Sequence, residues 1–274
     1  MRNFLYSFLG CIIISSFALN AQNITTESVV NSNVLNENLY YDVLYKWGII
    51  SKKAGEVNLI TQIDEPTQEF TSMLVGKSTP FFDKFYTVRD TLSGRMMMTT
   101  LEPIYYEKIA HEGGAFRRDS LKYYRDVPGT VSATATIDKI SKKGEVSHGE
   151  KLMTATGITL DMLSAFYYMR FIDYDAMKPG ESLLFNIFSG KKKEILRITY
   201  IEKTQITPEV LDNQPMDVYH ISFTFTYADN NQKKSSDPIQ AWIGVDDHRI
   251  PYMVTGRLPI GGIRCVLKSS NINP

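Results

Sequence analysis

Alternation of apolar and polar residues is the dominant pattern in this chain from residue 40 onward. Apolar side chains occupy every second position in residues 218–227, in residues 131–138 and from Tyr41 to Trp47. A period of two is typical of antiparallel strands with one buried face and one solvated face. Further strand-like segments lie at residues 54–63, 69–78, 103–110, 181–188, 194–203, 239–245 and 260–268. We therefore predict about a dozen strands in an all-β fold.

Turn residues separate these segments. They are Glu112-Gly113-Gly114, Pro128-Gly129, Lys143-Gly144, Ser189-Gly190 and Asp229-Asn230-Asn231. Lysine runs lie in or beside the turns, and we interpret them as solvated loop tips: Lys52-Lys53, Lys142-Lys143, Lys191-Lys192-Lys193 and Lys233-Lys234. So many consecutive strands would leave long free edges in a flat sheet. We therefore predict a single, strongly curved antiparallel sheet or a barrel-like fold.

One segment departs from alternation and predicts a helix over residues 160–171. Thr159 is a suitable N-cap, Asp161 would lie in the first turn, and the segment contains neither Gly nor Pro. Its apolar residues surround the helix almost completely, which predicts that the helix is buried against or inside the sheet.

The first 21 residues resemble a secretory signal peptide. Arg2 precedes a mostly apolar stretch over residues 4–19, and Ala21 is a suitable cleavage residue, although Ala18 offers an alternative. The apolar stretch is too short for a bilayer span, and we predict no transmembrane span in the mature chain. Cys11 follows Leu9-Gly10 as in a lipobox, so lipidation is the alternative processing. We predict export, to the periplasm or in association with an outer membrane, followed by a flexible leader over residues 22–38 and a single β-rich domain over residues 39–274.

Composition limits the remaining options. The 274 residues carry 30 Lys+Arg and 30 Asp+Glu, so no net charge attracts nucleic acid. Removal of Cys11 with the signal peptide would leave Cys265 without a disulfide partner, so the core must hold the fold. We expect Cys265 to be a buried, unreactive thiol because its surroundings are apolar.

The sequence lacks the spacing of known catalytic and metal motifs. Gly76-Lys77-Ser78 ends like a phosphate-binding loop, but Thr71 occupies the position of its first glycine. His111-Glu112 begins like a zinc-protease helix, but Ala115 replaces the second histidine. We therefore predict no cofactor, no metal site and no catalytic residue. In the segment before Pro251, we interpret Asp246 and Asp247 as a turn whose carboxylates hold the Arg249 side chain.

Several blocks carry a resemblance to a family of exported bacterial proteins, the domain of unknown function 3108. The blocks are residues 41–48 with 54–56, residues 161–170, and residues 242–251 with 259–264. The resemblance extends over about residues 40 to 268. It implies a cell-envelope protein with a β-rich, barrel-like fold, and it implies no catalytic residue.

From these observations we expect a non-enzymatic envelope protein whose curved sheet binds an apolar or amphipathic ligand, a lipid or an envelope glycan. The candidate ligand-lining residues are aromatic residues expected on inward faces and two arginines that could hold an anionic headgroup: Tyr45, Trp47, Arg89, Arg170, Phe223, Phe225 and Trp242. The same rings could instead fill the interior, as they do in small barrels. The alternatives are an assembly factor that contacts another envelope protein, or an envelope hydrolase using His220, His248 and Asp246.

Overall fold

A computed structural model of the chain describes residues 36–229, 232–258 and 261–271. The predicted signal peptide, its cleavage site, Cys11 and the leader up to residue 35 lie outside the described residues, as does the Asn230-Asn231 turn.

The described residues form sixteen strands and two α-helices. The strands are β1 Asn38–Trp47, β2 Ile50–Asp64, β3 Glu69–Ser78, β4 Val88–Met97, β5 Pro103–Glu112, β6 Ala115–Tyr124, β7 Thr130–Ile140, β8 Val146–Thr156, β9 Thr159–Leu160, β10 Ser182–Ser189, β11 Lys192–Ile206, β12 Met216–Asp229, β13 Gln232–Ser235, β14 Ile239–Gly244, β15 Pro251–Arg257 and β16 Gly262–Ser270. The helices are α1 Pro80–Asp83 and α2 Met162–Arg170, and single 3-10 turns span Glu65–Thr67, Tyr174–Ala176 and Glu209–Leu211. The all-β prediction is confirmed.

All strands belong to one curved sheet. Its order is β8-β7-β6-β5-β4-β3-β2-β1-β16-β15-β14-β12-β11-β10-β9, with β13 paired to β12 beside this path. Every pairing is antiparallel except the short parallel contact of β9 with β10. Pairing of β1 with β16 brings the first and last strands together in the middle of the sheet.

The sheet nearly closes into a barrel, as predicted. Strand β8 lies at one edge, and the chain continues from it within three residues into β9, which pairs with β10 at the opposite edge. Two lysines bridge the remaining seam. The Lys193 ammonium donates to the Thr154 carbonyl at 2.7 Å, and the Lys151 ammonium donates to the Lys191 carbonyl at 3.2 Å.

Helix α2 lies inside this wall, and its N-cap, Asp161, lies two residues after the predicted one. Thr159 and Leu160 pair with β10, so Thr159 is not the cap. The Asp161 carboxylate accepts the N–H groups of Leu163 and Ser164 at 2.9 Å, and the Ser164 hydroxyl accepts the N–H of Asp161 at 2.8 Å. This capping box fixes the start of the helix.

The core surrounds α2, as predicted. Side chains of Leu163, Tyr167 and Arg170 are at most 1% exposed. The ring of Phe70 on β3 packs edge-on against Tyr167 at 5.2 Å, and Phe185 on β10 packs against Tyr168 at 5.0 Å. The helix is thus held between both halves of the sheet.

None of the helices in the described ranges combines the length and apolar character needed to cross a membrane.

Candidate functional site

Four connections between strands lie at the same end of the barrel because each strand runs antiparallel to the next. They follow β1, β3, β5 and β7, at residues 47–50, 78–88, 112–115 and 140–146. We call this the mouth end. Arg170, the last residue of α2, contacts Glu37 immediately before β1 and is therefore at the opposite end.

A cavity of about 620 Å³ opens at the mouth end. Side chains of β5, β6, β7 and β8 form most of its wall, and the turn between β10 and β11 reaches it. Its lining residues are Tyr86, Lys108, Ala110, Glu112, Ala115, Phe116, Arg117, Asp119, Lys139, Ile140, Ser141, Lys142, Glu145, Ser147 and Ser189. Aromatic and aliphatic surface therefore lies beside charged groups, an arrangement that suits an amphipathic molecule.

Two carboxyl groups interact at one side of this mouth cavity. The Lys108 ammonium lies 3.2 Å from Asp90 and 3.4 Å from Glu112, and the Tyr86 hydroxyl donates to Glu112 at 3.4 Å. Burial and the neighbouring Glu112 carboxylate raise the pKa of Asp90. Burial also opposes ionisation of Glu112, but hydrogen bonding to Asp90 and the positive charge of Lys108 outweigh it and lower the pKa of Glu112. One ammonium group, that of Lys108, thus lies between the two carboxyl groups at this side of the cavity.

A second ion pair supports the cavity wall where the β10–β11 turn approaches. The Arg117 guanidinium Nε donates to both carboxylate oxygens of Asp119 at 2.8 Å. Gly190 packs directly on this pair at a φ of +53°, and a β-carbon there would lie 3.0 Å from Arg117 Nη2. The turn can approach so closely because glycine has no side chain.

Two lysines of the cavity keep their charge available. Neither Lys139 nor Lys142 has a salt-bridge partner among the residues that the structure describes, although Lys142 lies over the Tyr86 ring at 5.7 Å. Sequence analysis placed Lys142 at a solvated loop tip and did not single out Lys139. The alternation of β7 could have identified Lys139 as an inward-facing residue. The inward series Val131, Ala133, Ala135 and Ile137 continues to Lys139.

A groove of about 600 Å³ lies on the outer face of β2 to β6. Leu59, Phe70 and Met96 point inward, so the alternate residues Ile60, Met73 and their neighbours point outward and line the groove. Arg95 at its edge pairs with Glu69 at 3.1 Å.

The structure does not bring the seven predicted ligand-lining residues together, and none of them lines the mouth cavity. Phe223 and Phe225 are half-buried against the core with ring centroids 6.2 Å apart. Tyr45 packs against Phe82 of α1 at 6.0 Å. Ligand lining by these rings stays a prediction.

The inward placement expected for the two tryptophans is wrong. Trp47 is 59% exposed at the β1–β2 turn. Trp242 lies between the fully buried Ala241 and Ile243, so it points outward, where it stacks on His220 at 4.5 Å.

Both arginines are already engaged by carboxylates. Arg89 pairs with Asp83 at 2.6 Å near the mouth end. Arg170 is completely buried in a pair with Glu37 and has no surface for a headgroup.

The turn before Pro251 differs in detail from its prediction. Asp246 accepts the backbone N–H groups of His248 and Arg249 at 3.0 Å. The Arg249 guanidinium instead lies over the Tyr219 ring at 4.7 Å. A short acidic side chain satisfies the turn backbone, so the arginine side chain is free to pack elsewhere.

Within the described ranges, no group of three or more His, Cys, Asp or Glu side chains is arranged to hold a metal ion. Cys265 is half-buried, and burial raises its pKa to about 11, which agrees with the expectation of an unreactive thiol.

The chain is similar to two solved structures. A beta-barrel-like protein of domain of unknown function DUF1849 from Brucella abortus aligns with a TM-score of 0.57 at 9% identity, over 88% of this chain and 98% of that chain. A Bacteroides fragilis protein with a YmcC-like fold aligns with a TM-score of 0.33 at 8% identity, over 86% of this chain and 96% of that chain. The first likeness shows a common fold. No protein with a curated description matches the chain.

Residues 40–268 match the family described as a protein of unknown function, DUF3108. This range runs from β1 into β16 and includes the mouth, α2 and the seam. The chain therefore belongs to the DUF3108 family.

Proposed function

We propose that this chain is a non-enzymatic, exported envelope protein that binds an amphipathic ligand, a lipid or an envelope glycan, in its mouth cavity. The apolar stretch over residues 4–19 supports export. The observation that carries the binding proposal is the cavity of about 620 Å³, where aromatic surface adjoins two lysines without salt-bridge partners among the described residues.

The two sides of the cavity suit the two parts of such a ligand. Tyr86, Ala110 and Ala115 offer apolar contact to a chain or a sugar ring. Lys139 and Lys142 offer ammonium donors to a phosphate or carboxylate group. Lys108 and Arg117 are paired with nearby carboxylates, whereas Lys139 and Lys142 are not paired within the described part of the chain, and together they outnumber the one unpaired carboxylate of the lining, Glu145.

Native mass spectrometry of the exported protein tests this proposal. The protein is measured as purified, then with phosphatidylglycerol, with uncharged-headgroup phosphatidylcholine, with glycerol phosphate, and with soluble muropeptides. We expect a bound species with phosphatidylglycerol or with muropeptides. The glycerol phosphate sample separates binding of a complete lipid from binding of the phosphate alone.

A matched pair of variants locates the site. Ala115→Trp would fill the cavity from β6, whereas Ser120→Trp adds the same ring to the outer face of that strand. We expect the first variant to lose the bound species and the second to keep it. The proposal is contradicted if the purified protein carries no ligand and forms no bound species with any of the probes. Equal binding by the two variants also contradicts it.

The exposed edge of β8 favours an assembly role as the second candidate. Val146 is 79% exposed and Leu152 is 66% exposed on this edge strand, and unpaired edges accept strands of partner proteins. Chemical crosslinking from Leu152→Cys in intact envelopes, compared with crosslinking from Thr71→Cys on the outer face of β3, tests it. Partner capture confined to β8 supports this candidate, and equal or absent capture contradicts it.

A further inference from the structure

Strongly exposed aromatic side chains are concentrated at the mouth end of the barrel. Trp47 is 59% exposed, Phe81 49%, Phe85 74% and Tyr86 48%, and Ile49 between β1 and β2 is fully exposed. We call these five residues the aromatic rim. The large apolar residues exposed elsewhere in the described ranges are aliphatic, for example Val127, Leu152 and Leu184.

Ring contacts join two of the rim residues, Phe81 and Phe85, to Phe82 and Tyr45. Phe81 packs against Phe85 at 5.7 Å and against Phe82 at 5.5 Å. Phe82 in turn packs against Tyr45, two residues before Trp47 in β1. Tyr86 lies against the β5–β6 turn at Gly113, beside the mouth cavity that it also lines.

Positive charge accompanies this apolar surface. Lys46, Lys52 and Lys84 are exposed and have no carboxylate partner among the described residues. The Lys52 ammonium lies over the Phe81 ring at 4.7 Å, and Lys142 lies over Tyr86. The acidic residue of α1, Asp83, is engaged by Arg89 and Ser78, so it does not cancel these lysines.

We propose that the aromatic rim docks the mouth end of this protein on an anionic lipid bilayer. Trp, Tyr and Phe side chains with adjacent lysines are the composition that the bilayer interface accepts, because the rings enter the headgroup region while the ammonium groups reach the lipid phosphates. Zero net charge for the chain does not oppose this, because Lys46, Lys52 and Lys84 lie beside the rim without carboxylate partners among the described residues. The proposal goes beyond ligand binding and does not depend on it.

The fluorescence of Trp47 can report vesicle binding directly, because Trp242 is the only other tryptophan in the chain. In a Trp242→Phe background, the exported protein is mixed with vesicles of phosphatidylcholine, with and without phosphatidylglycerol. We expect a blue shift of Trp47 emission, quenching by brominated acyl chains, and co-sedimentation with the anionic vesicles that weakens with added salt.

Variants distinguish vesicle binding through the rim from nonspecific hydrophobic adsorption. Phe81→Ser/Phe85→Ser should weaken vesicle binding by about tenfold or more, since each buried ring contributes well over the 1.4 kcal/mol that this factor represents. Val127→Ser/Leu184→Ser removes comparably exposed apolar residues elsewhere and should leave binding unchanged. Lys52→Glu/Lys84→Glu should remove the preference for anionic vesicles without changing any ring.

Equal binding by the rim and control variants overturns the proposal, as does an absence of binding to both kinds of vesicle. Circular dichroism verifies that each variant is folded. Ala115→Trp should retain vesicle binding while losing the cavity ligand, so the two proposals fail independently.

Discussion

Arg170 at the end of α2 and Glu37 immediately before β1 form an ion pair with neither side chain exposed. The guanidinium donates to the two carboxylate oxygens at 2.5 and 2.9 Å. It also donates to the backbone carbonyls of Arg249 at 2.9 Å and His248 at 2.7 Å. One arginine therefore connects the helix, the entry to the sheet and the β14–β15 turn.

Glu37→Gln should destabilise the protein by about 3 to 5 kcal/mol, because it leaves the buried Arg170 charge without a counter-charge. Urea unfolding followed by circular dichroism measures the change. The control is Glu209→Gln, which breaks the exposed pair with Lys268 and should cost much less. Equal losses for the two variants would contradict the role assigned to the buried pair.

The burial of the Asp161 carboxyl group leads us to expect that the stability of the protein depends on pH. Burial raises the pKa of Asp161 to about 6 despite its hydrogen bonds to Ser164 and Leu163. The folded state therefore holds this proton more tightly than the unfolded state, and the resulting stability is present at low pH and lost as pH rises through about 6. Asp161→Asn keeps an oxygen for the cap and does not titrate. In urea titrations, the free energy of unfolding of the variant should increase relative to that of the wild type as pH rises. By pH 7 this relative increase should reach about 3 kcal/mol. A pH-independent difference would contradict this.

The Tyr167 hydroxyl joins α2 to the inner face of the sheet through Thr61 and, at 3.0 Å, through Ser72. Tyr167→Phe would leave both hydroxyls in a buried site without this partner, and we expect a loss of about 1 to 2 kcal/mol in the free energy of unfolding. Tyr168→Phe is the matched control, because its hydroxyl makes no hydrogen bond to the described residues. A comparable loss for Tyr168→Phe would assign the effect to packing instead.

Gly190→Ala should destabilise the protein and disturb the mouth. The added methyl group would lie 3.0 Å from Arg117 Nη2 and 3.2 Å from Ile137 Cδ1, at a positive φ. We expect a loss of about 2 kcal/mol, compared with about 1 kcal/mol for Gly48→Ala, which has a similar φ of +56° and open space around it. Thermal unfolding of both variants measures the difference. Equal losses would mean that the turn moves away from β6.

Strand boundaries were predictable where one face of the strand is buried. The predicted limits 69–78 equal those of β3, whose inward residues include Phe70 and Ser72. Strands β4, β6, β8 and β15, and the short strands β9 and β13, are not among the predicted segments. In β8 the reason is clear, because most of its residues are exposed and alternation requires one buried face.

The candidate site was less accessible to sequence reasoning. An arginine between aromatic residues in a helix looks available to a ligand, but Glu37, in a polar leader, neutralises Arg170. The lysines near residues 142 and 191 were assigned to separate loop tips. In the structure, Lys142 lines the mouth, and the Lys191 ammonium lies against Gly149 of β8 across the seam.

The sequence by itself determined the β-rich architecture, the presence of the buried helix and most of the turns. Each of these follows from a local rule, since alternation, helix capping and positive φ depend on residues close together in the chain. The number of strands also predicted a barrel-like fold, but only the tertiary structure decided how the seam is bridged, where the mouth lies and which residues form the aromatic rim. These unite residues separated by tens of positions, and their contacts depend on strand order, register and curvature, which short-range patterns do not specify.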